Sequence, residues 1–139
     1  MWPGRLEQLR HINSYVLLDG AHNPDGAEAL AVYLRGLRRS PDEVALVFGS
    51  LADKDWRTSL STLAPLSAHR YYVEPQGRSA VPATELAARQ RGIVCHSMND
   101  ALLRACDAAP FVVVCGSLYL VGEARAVILG LERDPPVSL

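Results

Sequence analysis

Five short apolar runs, separated by segments of helical period, constrain this chain more than any other feature of its sequence. The runs occupy residues 14–19, 44–49, 70–75, 93–97 and 111–117; each is rich in Val, Ile, Leu or Tyr and closes on Asp, Gly, Pro or Ser. Continuous apolar character over so few residues marks strands buried on both faces. Between them, Asn23-Pro24 reads as an N-cap and first-turn proline, followed by Ala27, Leu30, Ala31 and Leu34 at the 3.6 period. Asp25 and Glu28 at the front of that helix, and Arg35, Arg38 and Arg39 at its back, suit its dipole. Trp56, Leu60 and Leu63 mark a second helix ending near Pro65, and Pro82 opens a third that runs through Arg91 and is stopped by Gly92. Ser97-Met98-Asn99-Asp100 is a capping-box pattern ahead of a fourth helix over 100–108; Leu120, Val121, Ala124, Val127, Ile128 and Leu131 give a fifth. Order is expected to end at Asp134-Pro135-Pro136. Strands alternating with helices predict βαβ units. The expected fold is a three-layer α/β domain: a mostly parallel sheet of five to six strands with helices on both faces. Residues 5–11 are ambiguous and could add an edge strand.

Composition removes several classes of function. At 139 residues the chain is long enough for one domain with a sizeable core, without disulfides. A net charge of −1 argues against a nucleic-acid module held by a basic face and against a polybasic membrane binder. The longest uncharged stretch, residues 108–122, is 15 residues and is interrupted by Pro110, Gly116 and Ser117. That is too short for a membrane span. Cys95, Cys106 and Cys115 show no metal or redox spacing and read as buried thiols of a reduced, cytoplasmic protein. The N-terminus carries no signal-peptide pattern. Thirteen of the fourteen basic residues are Arg; Lys54 is the sole lysine.

In a sheet of this kind ligands bind beyond the carboxyl ends of the strands. The loops there are Asp19-Gly20-Ala21-His22-Asn23-Pro24, Gly49-Ser50-Leu51-Ala52-Asp53-Lys54-Asp55, Glu74-Pro75-Gln76-Gly77-Arg78 and Gly116-Ser117-Leu118-Tyr119. They are dense in polar and titratable groups. No P-loop, dinucleotide fingerprint, zinc motif or nucleophile elbow occurs among them. Each loop also has a purely structural reading: Asp19 ending a strand, Asn23 and Asp55 capping helices, Gly116-Ser117 making a tight strand-to-helix turn. His11, His69 and His96 carry no partner pattern and read as structural.

Taken together, four strings resemble one family. They are Trp2-Pro3-Gly4-Arg5, Leu18-Asp19-Gly20-Ala21-His22-Asn23-Pro24, Gly49-x-x-x-Asp53-Lys54-Asp55, and Cys115-Gly116-Ser117-Leu118-Tyr119-Leu120-Val121-Gly122-x-x-Arg125. In order and spacing they resemble the C-terminal domain of folylpolyglutamate synthase/dihydrofolate synthase, the folate branch of the Mur ligase superfamily. The resemblance implies a Rossmann-like fold and an ATP-dependent ligation in which a pteroate or folate carboxylate becomes an acyl phosphate and is attacked by the amine of L-glutamate. By resemblance, Arg5 lies at a hinge and reaches the ATP phosphates, and Asp19 accepts from the ribose hydroxyls. His22, Asn23, Lys54 and Ser117 hold the glutamate, and Tyr119 walls its pocket.

The family's P-loop, magnesium carboxylate and modified lysine belong to an N-terminal domain that this sequence does not contain. The expectation is therefore a single C-terminal domain over 1–139, a monomer inactive alone. ATP and Mg2+ are expected to be held mainly by the missing ATPase domain, and dihydropteroate or folate bound only in the full-length enzyme. In that enzyme Asp19→Ala is expected to abolish activity without loss of fold. Two other functions fit the same loops: a free-standing binding or regulatory module on this scaffold, and the C-terminal domain of a ligase acting on a peptidoglycan precursor.

Overall fold

The computed structural model describes residues 4–77 and 79–131. Trp2, Pro3 and Arg78, and the expected end of order at Asp134-Pro135-Pro136, lie outside the described residues. Six strands form one sheet: β1 (Glu7–His11), β2 (Ser14–Leu18), β3 (Val44–Phe48), β4 (His69–Tyr72), β5 (Ile93–Val94) and β6 (Phe111–Cys115). Their order is β1-β2-β6-β3-β4-β5. β1 runs antiparallel to β2, and every other pairing is parallel. The ambiguous segment before the first run is thus an edge strand, and the expected mostly parallel sheet is present.

The helices are α1 (Pro24–Gly36), α2 (Trp56–Leu63), α3 (Ala83–Arg89), α4 (Met98–Ala108) and α5 (Leu118–Leu129). They cover both faces. Leu17, Val44, Leu46, Phe48 and Val113 pack with Ala27 and Leu30 of α1, Trp56 and Leu60 of α2 and Leu86 of α3. Val16, Leu18, Ala45, Val47, Val112 and Val114 pack with Met98, Leu102 and Ala105 of α4 and Leu120 and Ala124 of α5. The alternation assigns successive residues of β2, β3 and β6 to opposite layers. Burial on both faces follows, and with it the unbroken apolar reading of those runs.

Five expectations are corrected. The strands are shorter than their apolar runs, because each chain makes one last ladder contact and then turns: Asp19 N–H donates to Val114 O at 3.0 Å and Val73 N–H to Phe48 O at 3.2 Å. The run 93–97 holds a two-residue strand with Ile93 46% exposed at the sheet edge. The chain leaves there because Ser97 caps α4, accepting from Asp100 N–H at 3.0 Å. α4 therefore starts at Met98 rather than residue 100, and α5 starts at Leu118 behind its Ser117 cap and ends on left-handed Gly130, with Leu131 beyond it. α3 stops at Arg89 with Gln90 extended, so Gly92 is not its stop. A Cβ on Gly92 would lie 2.4 Å from the Tyr72 ring and 2.7 Å from Arg70 O. Close approach to β4 is what requires that glycine.

Tyr72 is fully buried, and its hydroxyl donates to Gln90 O at 2.7 Å. Burial pushes its phenol up to about 12 and the nearby Cys95 thiol up to about 11. The folded state therefore holds the neutral phenol beyond the ordinary value near 10. The contribution of Tyr72 to stability should be undiminished below about pH 10 and lost as pH rises from there through about 12. In Tyr72→Phe the fall in stability should be shallower; urea midpoints across this range check it, and an unchanged slope would show that Tyr72 contributes nothing to it.

Candidate functional site

The chain leaves β2 and β3 toward the layer of α1 and α2 but leaves β6, which lies between them, toward α5. Opposite departures from neighbouring parallel strands open a crevice at their carboxyl ends. Here that happens on both sides of β6, and each crevice is a pocket. The first, of about 310 Å³, is lined by Arg5, Asp19, His22, Asn23, Ala29 and Leu118 among others. The second, of about 260 Å³, is lined by His22, Asp53, Lys54, Ser117, Leu118 and Tyr119 with Leu51 and Gly116. His22 and Leu118 border both.

Local sequence fixes these groups. Three helices point their N-termini at the strand ends, and each is capped by a side chain. Asn23 Oδ1 accepts from Gly26 N–H at 2.8 Å, Asp55 Oδ1 from Thr58 N–H at 3.3 Å, and Ser117 Oγ from Tyr119 and Leu120 N–H at 3.1 and 3.4 Å. The structural readings of Asn23, Asp55 and Gly116-Ser117 are thus all realised. Ser117 is buried at 2% exposure, and accepting from the helix leaves its own O–H as a donor. His22 Nδ1 lies 3.0 Å from Gly20 O. A carbonyl can only accept, so Nδ1 carries the proton and the other ring nitrogen is the acceptor of the neutral imidazole.

Asp19 does more than end a strand. At 7% exposure its two carboxylate oxygens accept from Leu6 N–H at 3.1 Å and Ala21 N–H at 2.9 Å. Leu6 has φ 50, a left-handed backbone that a branched side chain adopts only when held. Gly20 N–H also donates to Gly4 O at 2.7 Å, and Glu7 takes Gly4 N–H at 3.0 Å and pairs with Arg125 at 3.3 Å. These contacts dock the leading segment against the first pocket and leave the Arg5 side chain exposed at its edge. Arg125, the last residue of the fourth string, finds its partner here.

His22, Lys54, Ser117 and Tyr119 come together in the second pocket, and Arg5 and Asp19 in the first. Asn23 does not join the former set: it lines the first pocket with its carbonyl oxygen engaged by the cap. Asp53 and Leu118 line the pockets and were not among the expected site residues. Asp53 stands beside Lys54 in a string already singled out, so the signal was present. Leu118 carried none, being an apolar residue at a helix start. The three cysteines are buried and unbridged; burial pushes the Cys115 thiol up, away from a reactive thiolate at neutral pH. Among the described residues no group of three or more His, Cys, Asp or Glu could hold a metal, and no helix is long and apolar enough to cross a membrane.

An open parallel sheet with paired crevices flanking one central strand is the architecture of a ligand-binding α/β domain whose site is shared among loops. The chain belongs to the Mur ligase glutamate ligase domain family, whose model matches residues 4–118. It is 33% identical over 132 residues to folylpolyglutamate synthase of Lacticaseibacillus casei, a match covering 93% of this chain and 30% of that protein. Among solved structures it is similar to Escherichia coli FolC in complex with DHPP and ADP, with a TM-score of 0.84, 30% identity, and coverage of 94% of this chain and 32% of that one. It is also similar to a bifunctional folylpolyglutamate synthase/dihydrofolate synthase with Mn, AMPPNP and L-glutamate bound, at a TM-score of 0.79 and 27% identity, again over 94% and 32% of the two chains. The chain spans less than a third of the length of the curated relatives it matches.

Proposed function

We propose that this chain is the amino-acid-presenting C-terminal domain of an ATP-dependent ligase that joins L-glutamate to dihydropteroate or folate through an acyl phosphate. One observation carries the reading: Lys54 and Ser117, from loops 63 residues apart in sequence, line one pocket with His22 and Asp53 beside the pocket of Arg5 and Asp19. A pocket offering an ammonium, a hydroxyl and a carboxylate suits a zwitterion with a second carboxylate. Lys54 and Ser117 would hold carboxylate oxygens, Asp53 would face the amine, and the acceptor nitrogen of His22 would lie between amine and nucleotide. Tyr119, 44% exposed, would wall the pocket's outer side.

The first pocket suits one edge of a nucleotide. Arg5 offers a guanidinium to phosphate oxygens, and Ala29 and Leu30 give an apolar floor. Asp19 has spare lone pairs for ribose hydroxyls even with both oxygens accepting from amides. Among the described residues no three or more His, Cys, Asp or Glu stand together, so the chain offers no all-protein cage for Mg2+. The chain's part is to fix the amine against an acyl phosphate formed elsewhere and to keep water from it. That division of labour calls for a separate ATPase domain, with the present chain inactive alone as a single domain of this kind.

In the full-length protein Lys54→Met is expected to raise KM for L-glutamate about 10–100-fold, the worth of a charged hydrogen bond to a carboxylate, with KM for ATP within about twofold of wild type. Steady-state kinetics check this. An unchanged KM for glutamate would remove Lys54 from the amino-acid site, and ATP turnover by the isolated chain would overturn the division of labour.

A further inference from the structure

The two walls of the second pocket are joined by a segment between β4 and α3, none of whose described residues lines either wall. Within that segment residues 79–81 run antiparallel to the loop that carries Lys54: Leu51 bridges Ala80, Ala52 N–H donates to Ser79 O at 3.0 Å, and Val81 N–H donates to Ser50 O at 2.9 Å. Lys54 N–H closes the turn onto Leu51 O at 3.3 Å. The segment is itself tied at two points by carboxylates. Glu74 Oε2 accepts from Ala83 N–H at 3.0 Å at the start of α3, and Glu123 Oε1 accepts from Gln76 N–H at 2.8 Å. Glu123 lies on α5, one turn beyond Tyr119 and on the helix that Ser117 caps.

We propose that Glu123 is a positioning residue for Lys54: through Gln76 and the bridge at Ala80 it sets the Lys54 loop against the Ser117 end of α5. The linkage runs from Glu123 to Gln76, which is three residues from Ser79 in sequence, and from Ser79 and Ala80 across to Leu51 and Ala52 and on to Lys54. Neither carboxylate tie touches the pocket. The consequence for substrate rests on the reading of the second pocket as the amino-acid site; the mechanical linkage does not.

Two variants separate the possibilities. Glu123→Ala removes the acceptor, and Glu123→Gln keeps a side-chain carbonyl that can take the same N–H. Hydrogen exchange at the Ala52, Lys54 and Val81 amides of the 139-residue chain reports how often the paired loops open. Glu123→Ala should speed exchange there about fivefold, as expected for loss of one solvent-exposed hydrogen bond, while Glu123→Gln stays near wild type. Unchanged exchange in Glu123→Ala, or equally fast exchange in Glu123→Gln, would overturn the proposal.

In the full-length protein Glu123→Ala should raise KM for L-glutamate with kcat unchanged, and Glu123→Gln should restore it. If Lys54→Met raises that KM and Glu123→Ala does not, the positioning role fails. If Lys54→Met leaves it unchanged, the amino-acid reading of the pocket fails instead, while the exchange result still decides the linkage.

Discussion

Gly116→Ala should lower the unfolding free energy by about 3–5 kcal/mol, because the added methyl meets both an unfavourable backbone conformation and a neighbouring strand end. Gly116 has φ 110, a conformation that L side chains rarely adopt, and a Cβ there would lie 2.2 Å from Gly49 O and 3.0 Å from the Phe48 ring. The first obstacle is backbone of the neighbouring strand end, which cannot swing aside as a side chain would. Relief would have to push β3 and β6 apart where Gly49 N–H donates to Cys115 O. Gly116 lines the second pocket, so the damage should reach the Ser117 cap and that pocket as well as the core. Gly122→Ala is the matched control: nothing lies within 4 Å of its added Cβ, and it sits inside α5. Alanine there should stabilise by about 0.5–1 kcal/mol through lower unfolded-chain entropy. Urea denaturation of both variants checks the pair, and near-equal midpoints would mean that the contact between the two strand ends is not tight.

Asp19→Ala should cost about 3 kcal/mol of stability as well as activity, since two amides then lose a charged and nearly buried acceptor. Sequence reasoning expects this substitution to spare the fold. The geometry adds a structural cost, because the same carboxylate that faces the first pocket also holds Leu6 in its left-handed conformation. Asp19→Asn should lose less: one oxygen can still take Ala21 N–H, while the amide nitrogen opposes Leu6 N–H. Full-length enzyme with either change should lose most of its turnover. Wild-type turnover in a folded Asp19→Asn protein would remove the side chain from the ligand site and leave it a purely structural clasp.

The parts of the fold that were legible are those where one physical cause dominates. The Val and Leu runs of β3 and β6 have to be buried on both faces, and Asn23-Pro24 can hardly be anything but a helix start. The edge was less legible. Ile93 and Val94 look as apolar as a central strand, but strand length there is decided by where Ser97 must stand to cap α4. Gly92 carries the same letter whether it ends a helix or makes room for Tyr72, and only the packing of α3 on β4 distinguishes the two.

The site divides the same way. His22, Lys54, Ser117 and Tyr119 were reachable because strand-end loops converge in any open parallel sheet. The placement of Asn23 in the other pocket was not, since it depends on which side of β6 each loop falls. The contact of Glu123 with Gln76 joins residues 47 apart through a backbone amide that no side-chain pattern announces.

Because β6 lies between β2 and β3, the middle of the sheet is the last of the described strands to leave the ribosome. Until residues 111–115 emerge, β2 and β3 have no common neighbour, and their inward edges face each other across a vacant strand's width. Neither pocket is closed in that nascent chain, because Leu118, in the turn that follows β6, borders both. A stalled or C-terminally truncated product therefore presents unpaired strand edges beside an unfinished site. The last strand both closes the sheet and creates the binding surface, so this chain gains its capacity for ligands and its protection from edge-to-edge association in the same step of its synthesis.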